Sequence, residues 1–227
     1  MVAEAKTIFS SLTRAFGPQG WWPVNGGYSS RPRFPETDDE IFEVVAGAIL
    51  TQNTSWKNVE KALANLRAAK RLSVQGIASS PLRELRALLK PSGYYNQKSI
   101  YLREAARRLK GRGLKKFFSR PLPELRKELI SWNGVGPETR DSILLYAAGK
   151  PVFVVDAFTQ RLARRYPLPA ESYSRLQEFF ESSLPRDAEL FNEFHALIVE
   201  LSKRNCFKNN PDCANCPLKR SCKKIIF

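Results

Sequence analysis

Four cysteines, all between positions 206 and 222, are the densest chemistry in the chain. Cys206, Cys213, Cys216 and Cys222 follow a C-x6-C-x2-C-x5-C spacing. Thiolates so placed can converge on one site, and chemistry alone allows either zinc or a [4Fe-4S] cluster there. A secreted disulfide scaffold would instead spread its cysteines along the chain. A second candidate is Asp156, which directly follows the apolar run Pro151-Val152-Phe153-Val154-Val155. It is placed to cap a helix beginning at Ala157, and a carboxylate at a helix N-terminus is held ionised by the dipole. A third is Trp132-Asn133-Gly134-Val135-Gly136-Pro137-Glu138-Thr139, a glycine turn between two helices. Such a turn aims backbone N–H groups at an anion such as a phosphate, and it equally describes an ordinary helix-turn-helix packing unit. The single histidine, His195, sits near Phe191, Phe194, Ile198 and Leu201 on one helix. It reads as a structural residue, and no Ser-His-Asp or zinc-deaminase arrangement can be assembled around it.

The elements that must position these residues are helices. Apolar periodicity and end signals predict them over 3–16, Ile41–Leu50, Trp56–Lys70, Pro81–Lys90, Gln97–Lys110, Leu122–Trp132, Pro137–Ala148, Ala157–Arg165, Glu171–Ser183 and Ala188–Lys203. The helix from Ile41 is apolar nearly all round, which makes it central. Thr51-Gln52-Asn53-Thr54 is expected to cap the helix after it, and Ser80 the helix from Pro81. Between 16 and 35, Gly, Pro and the paired Trp21-Trp22 exclude a helix. The run 151–155 is too isolated to build a sheet. The fold class is all-α.

With 227 residues, 43% hydrophobic, the chain can bury a real core. Lys and Arg number 37 against 22 Asp and Glu, a net charge of +15 that favours a polyanionic partner, nucleic acid before an anionic membrane surface. No apolar run is long enough for a membrane span, and the N-terminus lacks a secretory pattern, so an intracellular location is expected.

Four stretches together resemble the helix-hairpin-helix superfamily of base-excision DNA glycosylases, the group that includes endonuclease III. They are Leu50-Thr51-Gln52-Asn53-Thr54, Gly93-Tyr94-Tyr95-Asn96-Gln97-Lys98, Gly134-Val135-Gly136 with Val155-Asp156, and the cysteine tail. The resemblance implies two helical domains with a DNA-binding cleft and active site between them. Residues 1–36 plus 151–227 would form one domain with the cluster loop, and 37–150 the other, ending in the hairpin. It implies a monomer, double-stranded DNA as partner, and a [4Fe-4S] cluster on the four cysteines. That cluster would pin a loop rich in Lys208, Lys219, Arg220, Lys223 and Lys224 against phosphates. It makes Asp156 catalytic, an anion that stabilises positive charge on the sugar as the glycosidic bond breaks and orients water. Bifunctional members carry a lysine two residues after the second hairpin glycine. Here that position is Glu138, which cannot form a Schiff base, so base removal without strand cleavage is expected.

Trp21-Trp22-Pro23, Phe42 and Thr51 to Trp56 most resemble the 3-methyladenine glycosylase branch, as does Gly134 to Thr139. This implies a base pocket of Trp21, Trp22, Pro23, Phe42 and Glu138. An aromatic slot suits an N-alkylated, cationic purine, at about 0.5–2 kcal/mol per cation–π contact. DNA contacts fall to Gln52, which resembles the residue filling the gap left by a flipped base, and to Asn53, Gly134, Val135, Gly136 and Thr139. The hairpin would bind phosphate through its amides and a monovalent cation. The alternatives are a glycosylase for uracil, a mismatched base or an oxidised pyrimidine, or a DNA-binding module without turnover.

Overall fold

A computed structural model describes residues 2–169 and 172–223. Lys224 and the helix start at Glu171 lie outside these residues. The described secondary structure is helical: α1 (Val2–Phe16), α2 (Asp38–Leu50), α3 (Trp56–Ala68), α4 (Val74–Ser79), α5 (Leu82–Leu89), α6 (Tyr95–Leu109), α7 (Leu114–Ser119), α8 (Leu122–Ile130), α9 (Pro137–Ser142), α10 (Ala157–Arg165), α11 (Tyr173–Ser183) and α12 (Ala188–Arg204). A 3₁₀ turn, Lys90–Ser92, follows α5, and α9 runs on into a π-helical stretch, Ile143–Ala147. Among the described residues, no helix is long and apolar enough to cross a membrane.

The chain divides into two compact units. Unit 1 takes the residues up to Trp21, Ser29–Arg33, and those from Pro151 on; unit 2 takes Trp22–Tyr28 and Phe34–Lys150.

Unit 2 is built around α2, whose residues from Glu40 to Leu50 are all buried. A capping box starts it: the Thr37 side chain accepts from the Glu40 N–H, and the Glu40 carboxylate accepts from the Thr37 N–H. Gly47 lies under the Trp22 ring, where an added Cβ would meet Cζ2 at 2.8 Å. The indole also meets Trp56 and Tyr146 edge-on or tilted, at 5.0 Å from each. That packing draws Trp22 into unit 2 while its neighbour Trp21 stays with unit 1.

Two expected caps are corrected. The cap position of α3 is Ser55, without a side-chain cap bond, and that of α5 is Pro81, leaving the Ser80 hydroxyl to donate back to Gly76 O. α6 starts two residues earlier than Gln97, at Tyr95. Lys98 on α6 explains how the end of α2 is satisfied. Its buried Nζ donates to Leu50 O (2.8 Å) and Ser92 O (2.7 Å), and burial lowers its pKa to about 8.

In unit 1, α12 packs on both α1 and α10. The run 152–155 is fully buried yet forms no strand. Its polar backbone is served by α11 instead: Glu181 accepts from Phe153 N–H and Gln177 donates to Phe153 O. The Phe153 ring stacks on Phe180 at 4.1 Å and meets Phe191 and Phe194 edge-on.

Candidate functional site

The hairpin in unit 2 joins α8 to α9. Gly134 has φ +77°, and a Cβ there would lie 2.2 Å from the Tyr101 ring on α6. Both facts require glycine. Gly136 differs: its φ of −86° is open to any residue, and nothing lies within 4 Å of an added Cβ. Its bareness keeps the start of α9 uncovered, since Gly136 is the cap residue and offers no side chain. Gln52 holds the turn, donating to Gly134 O at 2.8 Å and to the Thr139 hydroxyl at 3.1 Å. Val135 and Thr139 are buried, whereas Asn53 is exposed with φ +53° and Glu138 is exposed in the first turn of α9. Gln52, Gly134 and Thr139 are thus brought together.

The expected base-pocket residues are dispersed among different environments. Phe42 is fully enclosed in the core of unit 2, and Trp22 is 7% exposed. Trp21, in unit 1, keeps a partly open ring with Lys203 Nζ 5.6 Å from its centroid. Pro23 lines a pocket of about 220 Å³ on unit 2 together with Glu43, Trp56, Glu60 and Arg67. In that pocket the Glu43 carboxylate pairs with Arg67 at 2.7 Å, and burial raises its pKa.

Asp156 caps α10 as its position suggests: Oδ1 accepts from the Thr159 N–H at 2.7 Å. Its other oxygen lies 3.4 Å from His195 Nε2. Burial works to raise the Asp156 pKa, but the His195 ring and the Thr159 N–H outweigh it and hold the carboxyl below its ordinary value. The group is therefore a buried carboxylate kept ionised. His195, which the sequence marks as structural, lies against this carboxylate, a neighbour the sequence does not point to. No spacing signal links positions 156 and 195; only the packing of α10 on α12 does.

The cysteine loop docks on the other end of α10. Arg165 donates to Cys206 Sγ (3.3 Å), Phe207 O (2.6 Å) and Lys208 O (2.9 Å), and Arg161 to Cys206 O (2.8 Å). The Cys222 thiol donates to Arg165 O. All four cysteines line one cavity with Arg165, Asn205, Pro211, Asp212 and Lys219. The Asp212 carboxylate is engaged by Asn215, which leaves a donor set of four sulfurs. Burial raises the Cys216 thiol pKa. Among the described residues no group of three or more His, Cys, Asp or Glu is arranged to hold a metal ion. By donor chemistry and shared cavity, the four cysteines fit a thiolate-ligated group.

A family model described as HhH-GPD superfamily base excision DNA repair protein matches residues 46–186, a span that holds α2, the hairpin and Asp156. The chain belongs to that superfamily. As an HhH-GPD protein it is a DNA glycosylase of base excision repair. It is 41% identical over 221 residues to a protein of Methanocaldococcus jannaschii provisionally named a DNA repair glycosylase, covering 95% of this chain and 94% of that one. It is 31% identical over 193 residues to endonuclease III of Thermotoga maritima, covering 84% and 87%. Among solved structures, the H. pylori 3-methyladenine DNA glycosylase bound to 1,N6-ethenoadenine superposes with a TM-score of 0.71 at 28% identity, covering 89% of this chain and 96% of that one.

Proposed function

We propose that this HhH-GPD glycosylase is monofunctional and excises N-alkylated purines, 3-methyladenine foremost and 7-methylguanine with it, leaving an intact abasic site. The observation that carries the reading is Asp156, buried at the head of α10 yet kept ionised. When the bond from C1′ to the base nitrogen breaks, its electron pair leaves with the base and positive charge grows on the sugar. The carboxylate stabilises that charge and orients the water whose oxygen bonds to C1′, the released proton passing to solvent. An N-alkylated purine departs neutral, because the electron pair discharges its cation, so no strong general acid is needed.

Glu138 stands where a lyase would carry its amine. Base recognition is assigned to the Trp21-Trp22-Pro23 stretch, whose aromatic rings are of the kind that stack on a flat cation. The hairpin, tied by Gln52, binds backbone phosphate. The similarity to the H. pylori enzyme supports the alkylpurine reading. The likeness to endonuclease III leaves room for a second reading, a glycosylase for another lesion such as uracil, a mismatched base or an oxidised pyrimidine.

Cys206, Cys213, Cys216 and Cys222 are assigned to a [4Fe-4S] cluster, which when bound cross-links the loop covalently through iron–thiolate bonds. Zinc accepts the same four sulfurs, and a brown protein absorbing in the visible distinguishes the two. The enzyme acts as a monomer on double-stranded DNA inside the cell.

A panel of duplexes, each carrying one lesion, tests the reading. Release of 3-methyladenine or 7-methylguanine, with nicking only after alkali, is expected. Release of an oxidised pyrimidine with strand cleavage before alkali would overturn both the substrate and the role of Glu138. Asp156→Asn is expected to abolish excision while keeping affinity for an abasic-site analogue.

A further inference from the structure

We infer that His195 is a positioning residue for Asp156, fixing the second carboxylate oxygen so that the anion faces the sugar in one orientation. The inference rests on the catalytic reading of Asp156.

The N-cap bond from the Thr159 N–H anchors Oδ1, and the Thr159 hydroxyl acts on the carboxylate from the same residue. A carboxylate held from one side can still swing about its Cβ–Cγ bond, and a charge that swings stabilises a developing cation less than one already aimed at it. Oδ2 lies 3.4 Å from His195 Nε2, and both residues are only 8% exposed. Nε2 meets Oδ2 here as a charge contact; with the proton on Nε2, an approach closer by a few tenths of an ångström would make the imidazole a donor to Oδ2 and complete a two-point grip. A contact at this distance in the free enzyme shortens when charge builds on the substrate.

The imidazole is itself well held. α12 is 17 residues long and capped by Asp187, which accepts from the N–H groups of Glu189 and Leu190. The residues beside His195 are locked in the core: Phe194 is fully buried and meets Phe9, Phe153 and Phe180, while Ala196 and Leu197 are at most 2% exposed. The carboxylate nearest in sequence, Glu193, is turned away to accept from the Gln19 N–H at 2.8 Å. From α10, the charged group facing His195 is Asp156. An imidazole in this apolar stretch costs desolvation that a leucine would not, and the carboxylate beside it offsets that cost.

Single-turnover excision, on the duplex from the lesion panel that the wild type processes fastest, tests the inference. His195→Leu is expected to slow excision about tenfold or more, while affinity for a duplex with a tetrahydrofuran abasic analogue stays within about twofold. His195→Gln, which returns an N–H near the Nε2 position, is expected to recover most of the rate. His195→Asn, polar but too short to reach, should stay slow and serves in place of the leucine variant if that one loses its fold. Excision by His195→Leu or His195→Asn at the wild-type rate overturns the inference, as does equal slowing of the Gln and Asn variants at matched thermal midpoints. Asp156→Asn, run alongside, separates the two readings. Wild-type turnover there overturns the catalytic role of Asp156 itself, whereas an inactive Asp156→Asn beside a fully active His195→Leu overturns His195 alone.

Discussion

Gly134 and Gly136 stand two residues apart under different constraints. A side chain at Gly134 would occupy the Tyr101 ring and a left-handed backbone at once. Gly134→Ala is therefore expected to cost at least about 1–2 kcal/mol in urea unfolding. Gly136→Ala meets nothing within the chain, so its stability should stay within about 0.5 kcal/mol of wild type. If the amides at the start of α9 grip a phosphate, the same variant weakens DNA binding, read as Kd for an undamaged duplex. A Gly136→Ala protein that binds DNA as the wild type does would count against the phosphate role. Asp156 was legible from its sequence neighbours because capping is local. Its contact with His195 was not, because it depends on α10 and α12 meeting across 39 positions of chain. Trp21 and Trp22 were legible as an unusual pair, but their separation into different surroundings follows from Gly47, whose missing Cβ makes room for the Trp22 ring.

At the scale of elements, α10 joins two chemistries. Its head carries Asp156, and its later turns carry Arg161 and Arg165, which bind the backbone of the cysteine loop. Arg165→Met removes two of these bonds, together with the one to Cys206 Sγ, from a buried site. If the four cysteines hold the proposed iron–sulfur cluster, the variant is expected to shorten the lifetime of its visible absorption in air compared with wild type, and an unchanged decay would show that the loop holds without Arg165. Long amphipathic helices such as α6 and α12 were readable because an apolar stripe repeats over several turns. α4 and α7, each six residues long, offer too few turns for a period to show, and neither was expected. The π-helical stretch after α9 was also hidden, since its buried Ile143 to Ala147 look like one more helical turn. The run 151–155 forms no strand, as its isolation in the sequence implies. What satisfies it, Glu181 and Gln177, lies on a distant helix that no local pattern points to.

For the whole molecule, the net charge of +15 sets how it meets DNA. Affinity for undamaged duplex is expected to fall steeply with salt, by about a thousandfold from 50 to 200 mM if roughly six phosphates are contacted. A flat salt profile in a filter-binding titration would mean that the surplus charge is merely solvated surface. The interleaving of the two units has a consequence in time. When Lys150 leaves the ribosome, unit 2 has all of its chain. Unit 1 then has only α1 and the short strap near Ser29, with α10, α11 and α12 still to be made. α1 buries Ala5, Ile8 and Leu12 completely and packs on α11 and α12. The first helix synthesised therefore waits for the last with its apolar face uncovered, an interval in which the nascent chain is most open to chaperones or to aggregation.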